Sequence, residues 1–428
     1  MMLSFEKKYE YIQKKLTQKN RITELFVLLA FFILLEPRYF FFVDGIITIF
    51  KYGVIIVSLI LFFGYLLFEW KKWSKMTLLC ILYHGYLCGL TLFTKGDFVE
   101  IVQDSLFFCS LCILTEYCLK YNPRFLYTKL LLLLACEMLI NVPSVFMENG
   151  LYATSFAQTT NYFLGYKNQM INIILPTLML GYLYVLSQGK GSRILLFYLF
   201  IISFITVVHV DSKASTLMVC LMVFPVFCLC NFSNVFNMVT YLAVNIISFV
   251  SIVLLQVQKK MGPFIEMIFP GRNTSFSGRD FIWQNTINLI KENPIWGYGV
   301  EEYSSRLVRY GMSGGYTFFT LHAHDRFLET MYRGGIVLLI IYVIMLCVST
   351  YYLFKYRKLN ASKIVAFSLF VYLVGMITEF YRYSYLFFPM MVIAENILLL
   401  QNSIDNDLKA YPLNKRRVLG IWPKRCGI

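Results

Sequence analysis

The sequence is poor in charged residues: Asp, Glu, Lys and Arg make up only 15% of its 428 residues, whereas hydrophobic residues make up 58%. An average soluble domain carries about 25% charged residues. A water-soluble fold could not bury this much apolar surface, so the composition excludes a soluble domain. Many apolar runs reach the roughly 20 residues that a helix needs to cross a bilayer.

These runs predict an all-α polytopic membrane protein with about twelve transmembrane helices in one integral membrane domain, 1–428. No internal repeat or low-complexity segment divides the chain. The longest stretch between runs is 258–334, which predicts one large loop that contains short helices. The runs lie near residues 22–35, 45–68, 76–94, 98–119, 125–146, 169–186, 194–208, 214–230, 235–257, 335–354, 361–381 and 383–400.

The formal net charge of +15 is not arranged as in a nucleic-acid-binding protein, because basic stripes with interleaved aromatic residues are absent. Lys and Arg instead concentrate in alternate loops, whereas the intervening short loops hold about one each. By the positive-inside rule both termini are cytoplasmic and the loop 258–334 is extracytoplasmic. The basic segments are 7–21, 71–75, 120–124, 190–193, 355–363 and a tail, 401–428.

The sequence lacks a polar setting for its eleven cysteines, most of which lie inside apolar runs. Cys109 and Cys112 have the C-x-x-C spacing, but a redox or zinc site needs a polar loop and further ligands. We therefore interpret the cysteines as small buried hydrophobic residues. No small-residue cleavage site follows the basic N-terminus, so we expect the first apolar run to remain in the mature protein.

Two helices are predicted within the large loop. The first begins near Arg279, buries an apolar face and ends at Asn293-Pro294, because a residue before proline disfavours helix. The second begins near His322 and leads through Gly334-Gly335 into the next span, with Glu329 and Arg333 paired at i, i+4.

Histidine is scarce, with only four residues in the chain, yet two of them, His322 and His324, lie in this loop. Histidine titrates near neutral pH and therefore suits a general base. His324 is the stronger candidate and His322 the weaker one. Two alternatives remain open: a histidine that only caps a helix, and a zinc site in which Asp325 adds a third ligand to the two histidines.

The loop is also rich in arginine, whose planar fork binds phosphate. Arg279 lies at the first turn of its predicted helix, where free backbone N–H groups also favour an anion. Lys213 follows Ser212 in a short loop predicted on the same side. Most of the loop arginines have a simpler interpretation, as solvated side chains or side chains that extend to lipid headgroups. The six are Arg272, Arg279, Arg306, Arg309, Arg326 and Arg333.

Three segments in this region resemble the signature of the O-antigen ligase and Wzy-type polysaccharide polymerase superfamily. They are Gly278-Arg279-Asp280-Phe281-Ile282-Trp283, then Asn293-Pro294-Ile295-Trp296-Gly297-Tyr298-Gly299, then His322-Ala323-His324-Asp325-Arg326-Phe327-Leu328 with Gly334-Gly335. Together they cover about 60 residues, and their order and position in the largest loop make the combination specific.

The resemblance implies a metal-independent glycosyltransferase of GT-C-like fold in the bacterial cytoplasmic membrane, without a cofactor. It implies that His324 deprotonates the acceptor and that Arg279 and Lys213 neutralise a leaving pyrophosphate, with His322, Asp325, Arg326 and Arg272 in supporting positions. The substrates would be undecaprenyl-pyrophosphate-linked oligosaccharides. The expected partners are the lipid bilayer, a flippase and a chain-length regulator, and no nucleic acid.

Two departures from the ligase pattern favour a polymerase of a capsule, O-antigen or similar polysaccharide. Asp325 stands where the ligases prefer Asn, Ser or Gln, and Leu338 stands where they prefer Gly, Thr or Tyr. In an earlier loop, Ser212-Lys213 stands where the family often has Ser-Arg. Lysine still binds phosphate but lacks the bidentate geometry of arginine. The alternatives are a ligase-type glycan transferase and, from a different class, a lipid-linked oligosaccharide flippase or secondary transporter, which would typically carry an inverted repeat.

Overall fold

The apolar runs form helices in the computed structural model of the protein. It describes residues 21–35, 38–43, 45–69, 73–153, 160–189, 192–225, 235–260, 262, 267, 278–313, 316–317, 322–379, 384 and 386–410. The helices are α1 (residues 21–34), α2 (Ile46–Glu69), α3 (Lys75–Phe93), α4 (Phe98–Tyr121), α5 (Leu131–Val145), α6 (Ile171–Gln188), α7 (Ser192–His209), α8 (Lys213–Val223), α9 (Met238–Phe249), α10 (Val257–Lys260), α11 (Arg279–Glu292), α12 (Tyr303–Gly311), α13 (Arg326–Lys355), α14 (Asn360–Gly375), α15 (Phe387–Glu395) and α16 (Ile397–Ala410). A 3₁₀ turn, Arg38–Phe42, precedes α2, and π turns at Leu126–Leu130 and Val250–Leu254 adjoin α5 and α9.

The all-α polytopic membrane fold is confirmed, but the count of twelve spans is not. Each predicted run contains a helix, yet in the described part of the chain seven helices are long and apolar enough to span: α2 to α7 and α13. The pair α15 and α16, bent by 78°, would make an eighth. The helices α8, α9 and α14 are apolar but shorter. Of the predicted tail, residues 401–410 belong to α16, and the rest lies outside the described residues.

Two carboxylates, one buried and one half-buried, connect α3, α4 and α15 at the N-terminus of α3, where four backbone N–H groups lack helical partners. The side chain of Ser74 caps the helix by accepting from the backbone N–H of Thr77. Glu116 of α4 accepts from the N–H of Ser74 at 2.7 Å, and Glu395 of α15 accepts from the N–H of Met76 at 2.7 Å. These charge-assisted bonds fix the three helices against one another.

The connection from α5 to α6 contains a small antiparallel sheet, β1 (Tyr152–Ala153), β2 (Thr160–Tyr162) and β3 (Gly165–Tyr166). Tyr152 pairs with Asn161, and Tyr162 pairs with Gly165. Asn141 of α5 accepts the N–H of Leu164 through its side chain at 2.9 Å. The sheet therefore sits on the end of α5, and residues 167–170 follow it directly into α6. A second, two-stranded sheet pairs β4 (Met312–Ser313) with β5 (Tyr316–Thr317).

Both loop helices are confirmed, as α11 and as the first part of α13, and so is the Glu329–Arg333 pair, with 2.6 Å between Oε1 and Nε. The second helix begins at Arg326 rather than at His322, because Asp325 accepts the N–H of Leu328 and caps it.

The glycines of the second and third signature segments pack together where the loop crosses a kink in α13. Gly335 has φ 60° and ψ −161° within this otherwise continuous helix. A Cβ on Gly335 would lie 2.0 Å from the carbonyl oxygen of Ile295. Gly297, at φ +74°, would carry a Cβ 2.6 Å from the carbonyl oxygen of Tyr332. Only glycine allows this approach in these conformations, and the loop main chain thereby rests on the helix that begins beside His324.

The C-terminal end of α14 lies beside the start of α13, because the N–H of Arg326 donates to the carbonyl oxygen of Met376 at 3.0 Å. Helix α14 ends at Gly375 and the chain then turns at residues 376–378. Glu379 follows this turn. Its position after a short apolar helix places a carboxylate next to the histidines of the loop.

Candidate active site

Glu379 is the centre of a cluster that joins four separate parts of the chain. Its Oε1 lies 2.9 Å from Nδ1 of His324, and its Oε2 accepts from Nη2 of Arg279 at 3.0 Å and from Nδ2 of Asn168 at 3.1 Å. The Glu379 side chain is almost completely buried, whereas those of His324 and Arg279 remain about one fifth exposed. The cluster is therefore anchored on a buried carboxylate and open on the side of its histidine and arginine.

The electrostatics of the cluster keep Glu379 ionised. Burial alone would raise the pKa of this carboxyl, but the charge and hydrogen bond of His324, and then the charge of Arg279, lower the pKa to about 2. An ionised Glu379 accepts at Oε1 and orients the His324 ring through Nδ1. With the proton held on Nδ1, the Nε2 atom carries the lone pair, which is the state that a general base requires.

His324 and His322 are in direct ring contact and differ in their environments. The ring centroids are 4.2 Å apart in an edge-on arrangement. Burial, followed by the neighbouring His324, lowers the pKa of His322 to about 3, so this ring is neutral near pH 7. His324 has φ 53°, a left-handed conformation in which few non-glycine residues occur and which is often retained at functional sites.

Ser212, the neighbour of Lys213 in the chain, is linked to the cluster by hydrogen bonds. Ser212 donates its hydroxyl to Oδ1 of Asn168 at 2.9 Å, and Asn168 in turn donates to Glu379. Lys213 itself is exposed and is the first residue of α8. Of the residues predicted from the sequence, the structure thus joins His324 and Arg279 by a shared partner. The side chain of Lys213 has no described contact with the cluster, and its neighbour Ser212 is linked to Glu379 through Asn168.

The supporting residues predicted around His324 have other contacts. Asp325 caps α13, and its second carboxylate oxygen is buried without a hydrogen bond among the described residues. The guanidinium of Arg326 is buried and lies over the rings of Tyr342 and Phe388, at 5.7 and 5.4 Å from their centroids. Both residues have structural contacts and neither joins Glu379 in the described contacts. Arg272 lies outside the described residues.

Three other loop arginines form ion pairs elsewhere. Arg306 pairs with Glu100 of α4 at 2.8 Å, Arg309 pairs with Glu301 at 2.8 Å, and Arg333 pairs with Glu329. The first pair attaches α12 to α4, the second joins α12 to the main chain that precedes it, and the third lies within α13. Arg279 differs from them because its carboxylate partner is the one that also binds His324.

His322, His324 and Glu379 could also hold a metal ion, since one ligand atom from each lies within 4.8 Å of the others. Two histidines and one carboxylate form a donor set that zinc accepts. The third member is Glu379 and not Asp325, which the zinc alternative had required. Oε2 of Glu379 already accepts two hydrogen bonds and Oε1 accepts one, so a metal would have to bind at the remaining acceptor site of Oε1 or replace one of these donors.

Glu379 and Asn168 were not found by sequence reasoning. Glu379 lies 55 residues after His324, and Asn168 lies 211 residues before Glu379. The available signal was topological: Asn168 directly precedes the apolar run 169–186 and Glu379 lies near the end of the run 361–381, in both cases towards the side of the membrane predicted for the loop. A polar residue at such a turn is common, and nothing in the local sequence distinguishes these two.

The O-antigen ligase family model, Wzy_C, matches residues 198–343, about one third of the chain. The matched region contains Lys213, Arg279, His322 and His324, whereas Glu379 and Asn168 lie outside it. Residues 198–343 are thus similar to the O-antigen ligase family. The resemblance read from the three loop segments is thereby confirmed and supports a glycosyl-transferring membrane enzyme of polysaccharide assembly. No curated protein matches the sequence.

Proposed function

We propose that this protein polymerises lipid-linked oligosaccharide repeat units into a cell-surface polysaccharide at the outer face of the bacterial cytoplasmic membrane. The observation that carries the proposal is the shared carboxylate of Glu379, which holds the motif residues His324 and Arg279 in one partly open cluster. The donor would be a glycan on undecaprenyl pyrophosphate and the acceptor another lipid-linked unit. Positive-inside charge supports an extracytoplasmic position of the cluster.

In this reaction Nε2 of His324 removes the proton of an acceptor hydroxyl, and the oxygen attacks the anomeric carbon of the donor glycan. The bond from that carbon to the pyrophosphate oxygen breaks, and the electron pair leaves with the lipid pyrophosphate. Arg279 has N–H groups beyond the one that binds Glu379. These N–H groups and the ammonium group of Lys213 can stabilise the negative charge that develops on the leaving pyrophosphate.

Deletion of the gene separates a polymerase from a ligase. Without a polymerase, single repeat units still reach the surface but long chains do not, because transfer continues without elongation. Without a ligase, both are absent from the surface and glycan accumulates on its lipid carrier. We expect the first pattern on gels of surface glycan, with long chains restored by the wild-type gene. Loss of single units together with long chains would contradict the polymerase assignment.

We further propose that the reaction needs no metal ion, because three of the roughly four acceptor sites of the Glu379 carboxylate already bind Asn168, Arg279 and His324. Purified protein dialysed against EDTA should elongate lipid-linked repeat units at a rate within about twofold of the untreated sample. Loss of elongation with EDTA, restored by added Zn²⁺ and accompanied by lower bound zinc in His322→Ala, would instead identify a metal centre.

A further inference from the structure

A groove lies apart from the Glu379 cluster, between the N-terminus of α4 and the N-terminus of α12. It has a volume of about 610 Å³ and is lined by residues 96–99 and 302–304. The groove is open to the surface, and none of the residues that line it takes part in the proposed reaction at His324.

Both walls of the groove are fixed by buried contacts. The N–H of Asp97 donates to the carbonyl oxygen of Val300 at 2.7 Å, and the N–H of Val300 donates to the side chain of Thr91 at 3.0 Å. Arg306 of α12 pairs with Glu100 of α4 at 2.8 Å, with both side chains largely buried. Because each wall is attached to α3 or α4, the groove is preformed, which lowers the entropic cost of binding.

The groove is connected to the start of α13 and so to the histidine cluster. The N–H groups of Tyr298 and Gly299 donate to the carbonyl oxygens of Tyr332 and Arg333 at 2.9 and 2.8 Å. From Arg326 to Arg333 the helix rises by roughly 10 Å at 1.5 Å per residue, and His324 lies just before Arg326. The groove therefore adjoins one end of this helical segment, and His324 lies at the other.

The lining combines acidic and aromatic groups. Asp97 and Glu302 supply carboxylates and Ser304 a hydroxyl, whereas Phe98 and Tyr303 present rings that are 40% and 42% exposed. A saccharide matches this mixture, since its hydroxyls donate to carboxylates and its C–H faces pack on rings. The lining contains no lysine or arginine, so two carboxylates would repel a pyrophosphate.

From this chemistry we infer that the groove is a saccharide subsite that binds sugars of the lipid-linked glycan away from the bond that forms at His324. The inference rests on the proposed function for the identity of its ligand. The sugars bound there are neutral or carry an amino group, because an acidic sugar would face Asp97 and Glu302. Binding at a fixed distance from His324 would align the repeat unit for transfer.

The test measures binding of lipid-free repeat-unit oligosaccharide, released by mild acid from its lipid pyrophosphate carrier, to purified full-length protein. Wild type should bind it, and Glu302→Gln and Tyr303→Ala should each raise Kd at least tenfold. Val308→Ala is the matched control, because Val308 is 60% exposed on the same helix and does not line the groove. Glu302 is exposed and glutamine has the same shape, so we expect Glu302→Gln to fold like the wild type. A higher Kd of this variant therefore reports weaker binding.

Two results would overturn the subsite: no oligosaccharide binding by wild type, or unchanged Kd in both groove variants. His324→Ala separates this inference from the proposed function. It should bind oligosaccharide like wild type while failing to elongate chains. If His324→Ala elongates normally but Tyr303→Ala still loses binding, the proposed mechanism fails and the subsite remains.

Discussion

His324→Ala should abolish the formation of long chains while the protein remains in the membrane at the wild-type level. General-base catalysis contributes about 10²- to 10⁴-fold to a rate. A loss of that size would remove polymer from a gel of surface glycan and reduce the elongation rate of purified protein accordingly. His324 is partly exposed, and among the described residues its ring hydrogen-bonds to Glu379 and packs against His322, so its removal should not disturb the surrounding helices.

His209→Ala is the control for this substitution. His209 is an exposed histidine at the end of α7 whose ring packs on Phe146, with centroids 4.7 Å apart, and it has no described contact with Glu379. It should retain elongation within about twofold. Long chains of normal length and amount from the His324→Ala strain would rule out this residue as the base.

The part of the site that could be predicted from the sequence is the part that is local in the chain. Arg279 and His324 were found because each begins a helix in a loop whose segments carry a recognisable order of residues. The pairing of Glu329 with Arg333 follows from helix periodicity alone. Glu379 and Asn168 could not be found in this way, because contacts across 55 and 211 residues depend on how α6 and α14 pack.

The fold shows the same limit. Apolar runs identified where helices form, but hydropathy does not report where a helix breaks. Helix α14 ends at Gly375, and the break between Glu395 and Ile397 bends its pair by 78°. The first of these breaks has a chemical consequence, since it places Glu379 beside α13 rather than within a span. The sequence-derived count of about twelve spans exceeds the seven or eight in the described residues because α1, α8, α9 and α14 are too short there to count as spans.

The structure also changes the interpretation of the loop arginines. Most of the six loop arginines were expected to be solvated or to extend to lipid headgroups, but Arg306, Arg309 and Arg333 each pair with a carboxylate. Only Arg279, of the loop arginines with a described salt bridge, shares its carboxylate with a histidine. Charge in the loop is therefore mostly used to attach α12 and the main chain, and the position of Arg279 should matter more than its charge.

Glu379→Gln should reduce elongation by about 10²- to 10⁴-fold, close to the loss expected for His324→Ala. Glutamine keeps the size of the side chain but can present an N–H to Nδ1 of His324. The ring would then accept at Nδ1 and carry its proton on Nε2, the wrong tautomer for a base; such a change at an orienting carboxylate costs about 10⁴-fold in serine proteases. Elongation by purified protein measures the loss, and Glu301→Gln, which removes a carboxylate that pairs with Arg309, serves as the control.

Combining Glu379→Gln with Arg279→Ala tests whether the two residues act as a unit. Because Arg279 donates to the same carboxylate that orients His324, the double variant should lose less than the product of the single losses, by about 30-fold, or roughly 2 kcal/mol of coupling. Arg309→Ala removes the same charge from the same loop and should stay within about threefold of wild type. Equal losses in Arg279→Ala and Arg309→Ala would mean that the loop acts only through its total charge. Multiplicative losses in the double variant would mean that Glu379 orients the base without assistance from Arg279, and the cluster would then be two independent sites.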